Sequence, residues 1–294
     1  MLIKFFPRRA FHSRSALVGT TELAARLDDV ASGSIRLLHV GWEGCDSYNQ
    51  AHIPHAHCAD GREITDSQSL YKNMLPPPEV FAKHVGERLG ISNSTDVVVY
   101  DGLEARPPGI SYSPRLWWMF RVFGHDRVWV LDGGMHLWVA QQLAVSLDTP
   151  KKFSATFKPT FRKHLVHSFE EVNTFVESGE RTVVDARGRR AFRGEEESYG
   201  HRGRIPKAKN VPLRDMLDGM RLKEPEQLAE LFRQAGVVSW DQTIMSCGSG
   251  IFACTGALAA FELGHRNVPV YDGSWYEWAR RGAPVVSDVE NITS

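Results

Sequence analysis

The residues best suited to chemistry lie in one stretch, Thr243-Ile244-Met245-Ser246-Cys247-Gly248-Ser249-Gly250-Ile251-Phe252-Ala253-Cys254. A short apolar run leads into Cys247, and two glycines fall within the next three residues. An Ala-rich helical pattern at 253–263 follows, with Gly264 placed to close it. Glycines let the backbone turn tightly, so that successive N–H groups point at one centre. Those groups, with a helix N-terminus behind them, favour an anion. A thiol held there is expected to have a depressed pKa and to react as a thiolate. The amides of Gly248, Gly250, Ile251 and Phe252 would also stabilise the charge of a persulfide. The alternative is a buried structural cysteine. Ser249 could relay a proton or bond a substrate, or simply be a small residue that fits a tight loop.

A strand must deliver that cysteine and a helix must follow it, and the chain repeats this plan. Gly124-His125-Asp126-Arg127-Val128-Trp129-Val130-Leu131-Asp132-Gly133-Gly134, then Trp138, is answered 140 residues later by Gly264-His265-Arg266-Asn267-Val268-Pro269-Val270-Tyr271-Asp272-Gly273-Ser274, then Trp278. Gln50-Ala51-His52-Ile53-Pro54 is answered by Arg202-Gly203-Arg204-Ile205-Pro206. Two homologous halves of about 130 residues follow. Short apolar runs at 35–40, 97–100 and 127–131 correspond to runs at 181–184, 243–246 and 268–271. Helical patterns lie between them, as at 78–89 and 225–235. Buried short strands alternating with helices predict an α/β fold, each half a mainly parallel sheet flanked by helices.

The domains are expected at 16–146 and 164–294, with a linker at 147–163 that holds Pro150, Pro159 and five Lys or Arg residues. Ser168 stands as the N-cap of a new helix, with Glu171 three residues on. Residues 1–15 differ from the rest. They contain Lys4, Arg8, Arg9 and Arg14, and no acid precedes Glu22. That is the composition of a mitochondrial transit peptide or of a disordered basic tail, so the expected location is mitochondrial or cytoplasmic.

Composition narrows the function. Lys plus Arg and Asp plus Glu are 35 each, so the net charge is zero, which argues against a nucleic-acid or polybasic membrane partner. No run of about 18 apolar residues exists. Cys45, Cys58, Cys247 and Cys254 are too few for a disulfide scaffold and form no CxxC pair, so neither metal nor cofactor is expected. Cys45 and Cys58 could be redox-sensitive, though nothing in their spacing requires it, and Cys254 reads as a small core residue. His52, His55 and His57 read as surface residues. Trp117, Trp118, Trp129, Trp138, Trp275 and Trp278 read as core and inter-domain packing. A Cys-dependent phosphatase loop needs Arg six residues after the cysteine, where this chain has Ala253.

The Cys-Gly-Ser-Gly loop, the Tyr271-Asp272-Gly273-Ser274-Trp275 segment, the two Ile-Pro elements and the repeat resemble the rhodanese family of two-domain sulfurtransferases, over nearly the whole chain after about Ser15. Within it, Gly248-Ser249 resembles the mercaptopyruvate-using branch, since thiosulfate-using members typically place Arg-Lys after the cysteine. The resemblance implies that Cys247 takes sulfur from a small donor and passes the persulfide sulfur to cyanide, a thiol or a reduced thioredoxin-like protein. It also implies a non-catalytic first half. The Val97-Val98-Val99-Tyr100-Asp101-Gly102 segment, aligned with 243–248, puts Asp101 where Cys247 stands.

A carboxylate donor calls for arginine. Arg187, Arg190, Arg193 and Arg202 are candidates, with one or two expected to touch substrate. The family pattern has Arg where Ala191 stands. It also has a second acid where Arg62 follows Asp60, a His where Asn73 stands, and Val-Thr where Ile251-Phe252 stands. Arg62 is therefore a candidate replacement cation. A catalytically weak sulfur carrier or regulatory module is the alternative reading.

Overall fold

The computed structural model describes residues 11, 14–42 and 44–289. The transit-peptide reading of 1–15 lies outside them except at Phe11, Arg14 and Ser15. In the first half β1 (Leu17–Val18), α1 (Thr20–Ala24), α2 (Leu27–Ser32), β2 (Ile35–Gly41), α3 (Asp46–Gln50) and β3 (His57–Asp60) lead to α4 (Pro78–Lys83). Then come β4 (Asp96–Asp101), α5 (Ser113–Val122), β5 (Val128–Leu131) and α6 (Gly134–Ala140). The second half runs β6 (Val166–His167), α7 (Phe169–Ser178), β7 (Thr182–Asp185), α8 (Arg189–Arg193), β8 (Lys209–Asn210), β9 (Leu217–Asp218) and β10 (Arg221–Leu222). It closes with α9 (Pro225–Gln234), β11 (Thr243–Ser246), α10 (Ala253–Glu262), β12 (Val270–Tyr271) and α11 (Ser274–Arg280).

The repeat is one of topology as well as sequence. The strand orders are β1-β5-β4-β2-β3 and β6-β12-β11-β7-β8, every pair parallel, and β9–β10 is a small antiparallel hairpin between β8 and α9. All residues of β2, β4, β5 and β11 are buried, as expected of strands covered by helices on both faces. In such sheets ligands bind beyond the carboxyl ends of the strands, and Asp101 and Cys247 sit at the ends of the central strands β4 and β11.

Most predicted elements stand within a residue or two. The run at 268–271 shortens to Val270–Tyr271, because Pro269 has no N–H for the ladder. The pattern at 78–89 continues past α4 as a π-turn, His84–Arg88. There Gly86 lets the linker approach, since a Cβ on it would lie 2.7 Å from Ala155 O. Residues 147–162 carry no helix or strand. Phe157 of that stretch is buried against Phe81 and Phe120.

Trp117, Trp118, Trp129, Trp138, Trp275 and Trp278 are all buried, and Cys254 is core. Trp117 of α5 meets Phe261 of α10 edge-on at 5.5 Å, which joins the halves. One expectation fails. His52 and His57 are buried rather than surface residues, and only His55 is exposed. His52 lies between the carbonyls of Tyr48 and Asp148, while burial and then Arg36 push His57 down to about 4. Cys45, just before α3, and Cys58, on β3, form a disulfide, Cα atoms 6.1 Å apart. Among the described residues no helix is long and apolar enough to cross a membrane.

Candidate active site

Cys247 follows β11, and the loop 247–252 turns it back towards α10. Gly250 is required twice. Its φ is +80°, and a Cβ would lie 2.4 Å from Asp272 O. Gly248 is required by contact, since a Cβ there would lie 2.6 Å from Tyr199 Cε2. The loop is held from outside by α11. Ser274 Oγ accepts from Cys247 N (3.1 Å), while Trp275 N donates to Cys247 O (3.1 Å) and Tyr276 N to Gly248 O (2.8 Å).

The N–H groups that favour charge on the sulfur are those of Ala253, Ser249 and Gly250. Of the four expected amide donors, only Gly250 is among these three. Gly248, Ile251 and Phe252 instead line the cavity beside Cys247. The expected depression of the thiol pKa is overturned. Cys247 is 2% exposed, burial pushes the thiol up, and the amides offset only part of that. The net direction is upward, with Asp185 adding to it.

The cavity holds about 280 Å³ and is lined by Cys247, Arg187, Gly188, Ala191, Ser198, Tyr199, Gly248, Ser249, Ile251 and Phe252. Of the expected arginines only Arg187 reaches it. Nε and Nη2 of Arg187 grip Asp185, Nη2 also donates to Gly203 O (2.9 Å), and Nη1 is buried without a hydrogen-bond partner. The other four are engaged elsewhere. Arg190 pairs with Glu196 (2.8 Å) and Arg193 with Glu195 (3.6 Å). Arg202 donates to the carbonyls of Gly194 and Glu195. Arg62 is two-thirds exposed and paired with Asp60, so it does not replace a cation in this cavity. A second cavity of about 450 Å³ shares Gly188 and Phe252 with the first, and Arg106, Arg189, Arg190 and Arg214 line it.

The first half reaches into the site. Asn73 donates from Nδ2 to Ser249 Oγ (2.8 Å) and accepts at Oδ1 from Trp42 Nε1 (3.1 Å). Arg115 on α5, fully buried, donates to Gly250 O (3.3 Å), to Asp272 Oδ1 (2.7 Å) and to Asn73 O. Asp272 Oδ2 accepts Leu75 N (2.8 Å). In the first half the place of Cys247 is filled by the Asp101 carboxylate, which takes the N–H groups of Ser111, Tyr112 and Ser113 at the start of α5. That amide cradle thus holds its own anion.

Sequence reasoning missed Arg115, Tyr199 and Trp42. Arg115 left a signal, a charge beside the apolar run Leu116-Trp117-Trp118-Met119-Phe120. Tyr199 left none. Among the described residues no three His, Cys, Asp or Glu side chains gather as a metal-ligand set.

Residues 30–141 and 168–281 each match the rhodanese-like domain family. The chain is 37% identical to human 3-mercaptopyruvate sulfurtransferase over 281 residues, covering 92% of this chain and 93% of that protein. It is 38% identical to rat thiosulfate sulfurtransferase over 282 residues, with the same coverage. The crystal structure of SseA from Escherichia coli, reported with the rhodanese fold of 3-mercaptopyruvate sulfotransferases, superposes with a TM-score of 0.76 at 31% identity, covering 89% of this chain and 99% of SseA. With two such domains and an amide-cradled cysteine in the second, the chain belongs to the rhodanese family of sulfurtransferases.

Proposed function

We propose that the protein takes sulfur from 3-mercaptopyruvate onto Cys247 and passes it to a thiol, cyanide or a reduced dithiol protein. The observation that carries this reading is a cysteine at the foot of a small cavity with three N–H groups bearing on its sulfur. In the first step the Cys247 sulfur attacks the donor sulfur. The S–S bond forms and the donor C–S bond breaks, its electron pair leaving with the carbon as the enolate of pyruvate. The enolate then takes a proton at carbon. The sum is Cys247–SH plus mercaptopyruvate giving Cys247–S–SH plus pyruvate, with no further oxidant or reductant. In the second step the acceptor attacks the outer sulfur and releases Cys247. The N–H groups at the loop favour the persulfide anion between the two steps.

Among the described residues Arg187 is the one cation lining the cavity, and its unpartnered Nη1 supports a role in holding the donor carboxylate. Of the arginines lining the neighbouring cavity, Arg189 and Arg190 are paired with Asp215 and Glu196 of the same wall, which leaves Arg106 and Arg214 as the positive charge that favours anionic donors there. A single cation suits the monoanionic mercaptopyruvate better than the dianionic thiosulfate. The engagement of Arg190, Arg193 and Arg202 with local acids and carbonyls favours a second reading, a sulfur carrier charged by another persulfide. Mass spectrometry after exposure to mercaptopyruvate tests both. The expected result is one added sulfur on the Cys247 peptide, stoichiometric release of pyruvate, and neither in Cys247→Ser. A sulfur gain only from a persulfide donor, with no pyruvate, would favour the carrier.

A further inference from the structure

Tyr199 stands over the Cys247 loop at the tip of a two-residue turn. Ser198 N donates to His201 O (2.9 Å) and His201 N to Ser198 O (3.2 Å). Tyr199 and Gly200 between them have φ of +56° and +80°, the pattern of a type I′ turn. Glycine meets that demand freely, whereas a bulky aromatic does so at a cost that persists where the surroundings hold it. Here they do. Trp275 Nε1 donates to Ser198 O (3.0 Å) from the same helix that holds the loop carbonyls. The ring lies against Gly248, and the hydroxyl is 3.0 Å from Ser249 Oγ.

The hydrogen bonds around Ser249 can be directed. An indole N–H only donates, so Trp42 must face the carbonyl oxygen of Asn73, and the Asn73 amino group must face Ser249. Ser249 Oγ therefore accepts from Asn73. A hydroxyl has two lone pairs and one proton. If Tyr199 fills the second lone pair, the Ser249 proton has nowhere to go but the cavity, and two donors polarise it.

We propose that Tyr199 is a positioning residue that donates to Ser249 and thereby aims the Ser249 O–H at the keto oxygen of the donor, where charge collects as the C–S bond breaks. This rests on the sulfurtransferase reading of Cys247. The proton is not transferred in that step; it stabilises the enolate oxygen while carbon takes its own proton later. Thiosulfate releases sulfite from an S–S bond and forms no enolate, so its use depends less on this hydroxyl.

The test is steady-state kinetics of Tyr199→Phe, Ser249→Ala and the double variant, with mercaptopyruvate and with thiosulfate, cyanide accepting. Tyr199→Phe is expected to lower kcat with mercaptopyruvate about tenfold, with KM within about twofold, because the ring stays and only an O–H aimed at the transition state is lost. The loss with thiosulfate should be several-fold smaller. In the Ser249→Ala background the same change should cost nothing more, since the two act as one unit. Additive losses, or equal losses with both donors, would overturn the role of Tyr199 and leave the Cys247 reading standing. If the wild-type Cys247 peptide gains no sulfur from mercaptopyruvate, both readings fall together.

Discussion

A thiol removed from water stays protonated unless other dipoles replace the solvent it has lost, and at Cys247 three amides replace only part of it. The thiolate is the reactive form, so its fraction sets the rate. With the pKa raised, alkylation of Cys247 by iodoacetamide should climb with pH and still be rising at about pH 8.5, the ordinary thiol value. A rate that levelled near neutrality would show the amides to outweigh burial. Gly250 offers a second measurement. Alanine at φ +80°, with its Cβ driven onto Asp272 O, should cost about 2–3 kcal/mol in thermal or denaturant unfolding. It should also remove most sulfur loading, because the Gly250 N–H leaves the sulfur. A variant that unfolds like wild type would contradict this. The nucleophile and its glycines were legible in sequence because they are adjacent along the chain. The direction of the pKa shift was not, because the cavity wall around Cys247 includes Tyr199 and Arg187, which are distant in sequence.

At the scale of elements, local chemistry was legible wherever it closed on itself. Ser168 Oγ accepts from Glu171 N and the Glu171 carboxylate takes Ser168 N, the reciprocal cap expected at the start of α7. Ser168→Ala should therefore lower stability by about 1 kcal/mol and leave sulfur loading untouched, since α7 lies away from the cavity. A shift in unfolding midpoint with unchanged loading is the expected pair of results; a loss of loading would tie α7 to the site. The segment around α8 shows the opposite case. Its arginines carried a correct signal of positive charge, yet the segment also contains Glu195 and Glu196, and composition does not say whether a guanidinium turns to a neighbour or to a ligand. Arg190 and Arg193 turn to those neighbours, while Arg187, next to the end of β7, is carried to the cavity wall. Tyr199 depends on a turn whose positive φ values no spacing announces.

At the scale of the molecule, the repeat made two domains legible and left their mutual contact open. That contact turns on Arg115. Burial opposes its charge, and Asp272 beside it overcomes the opposition and holds the guanidinium above its ordinary range. One side chain thus ties α5 of the first half to Asp272, to Asn73 O and to Gly250 O of the loop. Arg115→Met would leave the Asp272 carboxylate buried without its cation, and the expected loss is about 3–5 kcal/mol. Replacing both charges, Arg115→Met with Asp272→Leu, removes the stranded carboxylate and should return much of that stability. It should not return sulfur transfer, because Gly250 O would still lack its donor from the first half. Unfolding midpoints and sulfur-loading rates for the two variants separate these effects. If the double variant recovers both, the pair serves stability alone. If it recovers the midpoint and stays slow, the first half acts in catalysis by holding the shape of the Cys247 loop.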